Sequence, residues 1–398
     1  MGKSVVFCAD GTWNGPGEPD NDDKAAPATN VFKLFLNLAG TDTPGTYQLE
    51  KEQERVLPAP TANSPLQYAK YINGVGDSDN WLVKALGGSL GAGLITRIVR
   101  GYTFISRNYE KGDKVFIVGF SRGAYTARAL AGLIAAEGLL DASKIDLTNK
   151  QIAYQLGSAV WYKWRRTALD NDSGWFGKLE ETLLDIPGLF TAAPRPNVML
   201  TTDIEAVAVW ETVGALGIPE YTKNQARLDV FRFAGTKLSP TIGNGLHAVA
   251  VDERREDFTP TLWDVDPRVI QGLFPGAHAD VGGGYPDGDE SGLSDGALIW
   301  MRNELERLGV QFLRMPQDSA KPNPDATAHE PWAHGVFAAL SQGPRTFPSG
   351  LHLSQSVLDR MAFGNVIPDP SVTACAYAPT NLLGYVVNGG AAPGVQIC

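Results

Sequence analysis

The chain is expected to fold as an α/β domain: a mostly parallel, doubly wound sheet with helices on both faces. Three observations lead there. Short apolar runs alternate with longer helical patterns through most of the 398 residues. Residues 115–118, Val-Phe-Ile-Val, are continuously apolar, as a strand buried on both faces requires. Directly after them the chain turns through glycines into an Ala-rich stretch whose apolar spacing suits a helix lying on a sheet.

Taken in order, strands are expected at 4–9, 67–72, 114–120, 206–210, 246–251 and 269–274, where β-branched and aromatic residues cluster. Helices are expected at 29–38, 92–109, 124–137 and 294–308, where apolar residues recur at helical spacing. No internal repeat is visible, and residues 1–398 are read as a single domain. Two stretches break the alternation. Residues 146–200 are mainly helical, with Trp161, Trp164, Trp175 and Phe176 set among charges. They suit a cap over the catalytic end of the sheet, contacting substrate through those aromatics, or a helical insertion packed on its flank. Residues 313–350 are Pro-rich and irregular.

Composition narrows the function. A formal net charge of −10 argues against nucleic acid or an anionic membrane held by a basic face. Cys8, Cys375 and Cys398 lie far apart and in no metal-ligand spacing, so neither a disulfide framework nor a zinc site is indicated. The longest weakly polar stretch, 85–94, is Gly-rich and too short to span a bilayer, so any membrane contact is expected to be peripheral. No signal peptide precedes the first strand, and a cytoplasmic location is expected.

The chemistry is concentrated at Gly119-Phe-Ser-Arg-Gly. Between a buried strand and a helix, such a pentapeptide lifts the Ser121 hydroxyl above the sheet, with the helix N-terminus beneath it to favour developing negative charge. This is the nucleophile elbow of an α/β-hydrolase, where the serine follows the fifth standard strand and an oxyanion loop follows the third. Two strands precede the elbow here, so the sheet is read as starting at the standard third strand. The loop Asp10-Gly-Thr-Trp-Asn then falls where the second oxyanion donor belongs, and the N–H of Gly11 or Thr12 is paired with that of Arg122.

The base follows by elimination among five histidines. His247 begins a strand; His329, His334 and His352 lie in Pro-rich or C-terminal sequence. His278 sits in a Gly-rich loop after the last core strand, the place of a triad histidine in the chain order Ser, acid, His. The acid has two candidates at strand ends. Glu211 ends the strand after the nucleophile, and Asp252 ends the next. Strand counting favours Asp252, although the Arg254 and Arg255 that follow suit an ion pair. Asp280 is too near His278 to reach its far nitrogen and is read as shaping the loop. No cofactor or metal is required, and Asp10, Asp280 and Asp287 would hold an adventitious cation only by converging.

Several segments together resemble one family: Asp10-Gly-Thr-Trp-Asn, Gly74-Val-Gly, Gly119-Phe-Ser-Arg-Gly-Ala-Tyr-Thr-Ala-Arg, Val209-Trp-Glu-Thr-Val-Gly, Ala248-Val-Ala-Val-Asp-Glu-Arg-Arg and His278-Ala-Asp-Val-Gly-Gly-Gly-Tyr. They resemble the catalytic domain of type VI secretion phospholipase effectors, from Ser4 to about residue 300, and more weakly beyond. The resemblance implies a Ser–acid–His lipase or esterase on acyl esters, with Ser121 as nucleophile and His278 as base. It favours the Trp-Asp-Thr-Val position for the acid, where this chain has Glu211 instead of aspartate. On that ground Glu211 is placed ahead of Asp252. Toxin members carry membrane-associating regions beyond this domain, whereas the chain ends at Cys398. The expectation is a stand-alone cytoplasmic esterase, with export by a system that needs no signal peptide as the alternative. An immunity protein or a secretion partner stays open. So do a thioesterase or peptidase-like reaction on the same groups, and an inactive scaffold.

Overall fold

In the computed structural model, which describes residues 2–11, 27–43, 52–59, 65–74, 90–169, 194–213, 236–314, 320–339 and 341–398, the apolar runs assemble into a nine-stranded sheet. Its strands are β1 (Ser4–Ala9), β2 (Thr41–Asp42), β3 (Glu52–Leu57), β4 (Gln67–Ile72), β5 (Lys114–Phe120), β6 (Ile204–Trp210), β7 (Ile242–Ala250), β8 (Val269–Phe274) and β9 (His352–Leu353). The spatial order is β9-β8-β7-β6-β5-β1-β4-β3-β2. Pairing is parallel from β9 through β4; β3 lies antiparallel to β4, and β2 antiparallel to β3. All six strands expected from sequence are present, with ends within a few residues of the expected ones.

Among the described residues the α-helices are α1 (Asn30–Asn37), α2 (Leu90–Asn108), α3 (Arg122–Glu137), α4 (Lys150–Leu169), α5 (His278–Gly282), α6 (Gly292–Leu308) and α7 (Gln355–Ala362). Because strand side chains alternate between faces, each central strand feeds two cores. Val5, Phe7, Val115, Ile117, Val207 and Val209 pack with α2 and α3 on one face. Val6, Cys8, Phe116, Val118, Ala208 and Trp210 pack with α1 and α6 on the other. The sheet is therefore covered on both sides, which is why its strands read as unbroken apolar runs.

Of the segment read as a cap, the described helix α4 packs on α2 and α3, one layer out from the sheet. Trp161 is 2% exposed inside that core, and Trp164 packs against it. Trp161 is therefore not available to substrate, which corrects the expectation for it, while Trp164 is half-buried against the same core. Trp175 and Phe176 lie outside the described residues. Among the described residues, no helix is long and apolar enough to cross a membrane.

The β5–α3 junction is held by close backbone approach. A Cβ on Gly119 would collide with the Gly123 carbonyl, and a Cβ on Gly123 with the Ala9 carbonyl at the end of β1. Only hydrogen fits at either position. Gly123→Ala is accordingly expected to cost about 3 kcal/mol. A lower urea midpoint at unchanged m-value would show it, and an unchanged midpoint would refute the packing argument.

Candidate active site

β5 and β6 end side by side. Phe120 pairs with Trp210, and the Ser121 N–H donates to the Trp210 carbonyl at 3.1 Å. The next residue on each strand, Ser121 and Glu211, leaves ordinary strand geometry, with φ of 55° and 47°. Non-glycine residues avoid this region, so the backbone is strained at both points, as often where a side chain must be aimed. Ser121 opens α3 from its N-cap position and makes no side-chain capping bond.

His278 begins α5, after β8. Its Nδ1 lies 2.9 Å from Oε2 of Glu211, and its backbone N–H donates to Oε2 of Glu253 at 3.2 Å. The Phe120 ring, one residue before the serine, lies 4.8 Å from the imidazole between centroids. With Nδ1 donating to an ionised carboxylate, Nε2 is the acceptor nitrogen. Burial pushes the His278 pKa below its ordinary value of 6.5, against the pull of Glu211.

Glu211 is fully buried yet well satisfied. Its Oε1 accepts from the Ala250 N–H at 2.7 Å and from Nη1 of Arg345 at 2.9 Å, while Oε2 accepts from Nη2 of Arg345 at 2.8 Å. Burial alone would raise its pKa, but the Arg345 guanidinium and His278 outweigh it and hold the carboxyl well below the usual range. Arg345 also donates to the carbonyls of Ala250 and Phe258, at 2.7 and 2.6 Å. A single arginine from the Pro-rich stretch thus knits the ends of β6 and β7 to the loop at Phe258.

Asp252, the acid favoured by strand counting, is engaged elsewhere. Its carboxylate accepts from the Gly276 N–H at 2.6 Å and the Tyr377 hydroxyl at 2.9 Å. Burial pushes its pKa up to about 6. It ties the loop before His278 to the C-terminal segment, and the imidazole bonds to Glu211 instead. Glu253, not Asp252, supplies the ion pair suspected there, with Arg255.

The β1 loop does reach the serine. A Cβ on Gly11 would sit 3.3 Å from that of Ser121. Its N–H, however, donates to Oδ1 of Asp10 at 2.7 Å, which corrects its reading as an oxyanion donor. Thr12 lies outside the described residues. Arg122 is the first residue of α3, where N–H groups point out of the helix end. Asp10 also accepts from Thr29 at 2.8 Å and Tyr71 at 2.5 Å, and burial pushes its pKa up to about 7. Asp280 accepts from the Ala277 N–H and from Nδ1 of His329, each within 2.8 Å, and Asp287 pairs with Lys33 at 2.8 Å. These carboxylates serve separate partners and do not converge. No cluster of three or more metal-ligating side chains occurs among the described residues.

His247 is fully buried, accepts the Thr212 N–H at 3.2 Å, and its pKa is pushed down by burial to about 3. It is a neutral core residue beneath the site. Arg345 escaped sequence reasoning because an isolated arginine among prolines carries no local signal. Glu253 stood within the charged run after β7, a signal that could have found it.

A family model described as the catalytic domain of Tle1-like type VI secretion phospholipase effectors matches residues 3–304. The chain belongs to this family. An uncharacterised Saccharomyces cerevisiae protein, YEL023C, is 25% identical over 270 residues, or 65% of this chain and 32% of its own. Among solved structures, a Tle1 effector bound to the VgrG spike of the type VI system aligns with TM-score 0.38 and 15% identity, covering 72% of this chain and 52% of that one. An uncharacterised Pseudomonas aeruginosa protein aligns with TM-score 0.41 and 15% identity, covering 81% and 49%. The Tle1-like chain spans about a third of its yeast relative and about half of each solved neighbour.

Arg345→Gln should leave Glu211 with His278 as its sole charged partner. A destabilisation of about 3–5 kcal/mol is expected, since one half of a buried pair is removed. The His278 pKa, followed by NMR, should rise relative to wild type, because an uncompensated carboxylate favours imidazolium. A fall, or no change, would contradict the clamp.

Proposed function

We propose that this Tle1-like domain is a serine hydrolase of carboxylic esters, with acyl lipids as its substrate class. The observation that carries this is the buried Glu211–His278 couple, 2.9 Å across, set beside a strained elbow serine. Family membership adds the lipid side of the reading.

Ser121 attacks the ester carbonyl carbon while Nε2 of His278 takes its proton. Glu211 holds the ring through Nδ1 and stabilises the imidazolium that forms. The tetrahedral oxyanion is met by the Arg122 N–H at the head of α3 and a second donor from the β1 loop, Thr12 in our reading, each contributing about 3–4 kcal/mol. His278 then protonates the leaving alcohol. Water, activated by the same imidazole, releases the acid from Ser121. Delivery by a type VI system, and a secretion partner for it, follow as proposals from the family description.

Hydrolysis of p-nitrophenyl butyrate should fall by about 10⁴-fold or more in Ser121→Ala and by about 10³-fold or more in Glu211→Gln. Asp252→Asn should stay within about threefold of wild type, as expected of a residue outside the reaction. An Asp252→Asn loss equal to that of Glu211→Gln would refute the assignment. Neutral His278 is the competent base, and its pKa is depressed by burial. Activity should therefore persist below pH 6.5 before the acid limb sets in, whereas a limb centred above 6.5 would count against it.

A further inference from the structure

Beside His278 lies an aromatic surface for which the chemistry above has no task. The Phe258 ring stands edge-on to the imidazole, with centroids 5.0 Å apart and planes at 80°. Phe337 packs on Phe258 in the same manner at 5.9 Å. Both phenylalanines are only partly buried. The Arg255 guanidinium lies 3.6 Å from the Phe258 centroid and 4.7 Å from that of Phe337, fixing both rings.

That arginine is itself pinned. Its Nε and Nη2 donate to the two carboxylate oxygens of Glu253 at 2.8 and 2.7 Å, and Glu253 is fully buried. The same carboxylate accepts the His278 backbone N–H. One buried acid therefore sets both the base and, through Arg255, the two rings. Desolvating an ion pair is a poor route to stability, since apolar residues of equal volume often serve better. Its use here to orient two partly exposed rings beside the imidazole fits a preorganised binding surface.

We infer that Phe258 and Phe337 form the subsite for the apolar part of the leaving alcohol, so that the domain acts on esters of alkyl, aryl or amphipathic alcohols. This rests on the hydrolase reading. As Ser121 Oγ bonds to the carbonyl carbon, its proton passes to Nε2 of His278. When the carbon–oxygen bond to the alcohol breaks, the electron pair leaves on that oxygen and the proton follows from Nε2. The departing oxygen must therefore approach the imidazole, and its substituents meet whatever borders that ring. The acyl chain stays behind on Ser121.

Two ester series test this: acetates of alcohols from ethyl to decyl, and ethyl esters of acids from acetyl to decanoyl. The variants are Phe337→Ala, which leaves the Phe258–His278 contact in place, and Phe258→Leu, which removes the ring but leaves an apolar side chain. In both, the ratio of kcat/KM for decyl acetate to that for ethyl acetate should fall about tenfold. The acyl-length preference should match wild type, and the acid limb of Phe337→Ala should stay where it was. A loss that tracks acyl length, or one equal for every ester, overturns the subsite. Wild-type protein inert towards all esters overturns the hydrolase reading and the subsite together. Active wild type with variants indifferent to the alcohol overturns the subsite alone.

Discussion

A carboxylate taken fully out of water must be given charges and donors in return, and Glu211 receives four polar contacts from three directions. Arg345 neutralises it, the Ala250 N–H ties it to β7, and Nδ1 of His278 takes the remaining position on Oε2. The imidazole is thus oriented by an acid that is itself immovable. Loosening any member would leave a buried charge exposed to its neighbours without compensation, a costly state in a low-dielectric interior. That cost is what makes the ring position single-valued.

The constraint works only because the strands deliver the right atoms to one edge. Parallel pairing of β5 with β6 puts Ser121 and Glu211 at equivalent steps past the last paired residues. Both then take up positive φ, the serine as the N-cap of α3 and the glutamate with its carboxylate on the histidine. β7 and β8 continue the series, and the loop from β8 returns His278 to the same edge. Ligands of open parallel sheets meet the carboxyl ends of strands for this reason.

Much of this was legible in the chain. Buried parallel strands advertise themselves as apolar runs, so β1, β4, β5, β6, β7 and β8 could be placed, and glycines around Ser121 marked the elbow. The antiparallel edge could not be placed in the same way. β3 reads Glu-Gln-Glu-Arg-Val-Leu, and its acids are neutralised by Lys70, Arg100 and Arg107 from other elements. The site showed the same division. Ser121 and His278 sit in local motifs, while which of Glu211 and Asp252 meets the imidazole depended on a guanidinium 134 residues from Glu211 and a hydroxyl 125 residues from Asp252. Strand counting favoured Asp252 because it could not see those partners. Gly11 failed as a donor for a related reason: the buried Asp10 beside it claims its N–H. Trp161 looked like a lipid contact because an aromatic among charges reads alike on a lid and under a packed helix.

The central claim is that the Glu211-held imidazole activates Ser121, and reaction with a fluorophosphonate probes it without reference to any substrate. The rate of adduct formation would be followed by mass spectrometry across pH, with peptide mapping of the modified residue. The expected result is a single adduct on Ser121, forming at a rate that rises with deprotonation of one group of pKa below 6.5. No adduct, an adduct on another residue, or a rate indifferent to pH would contradict it.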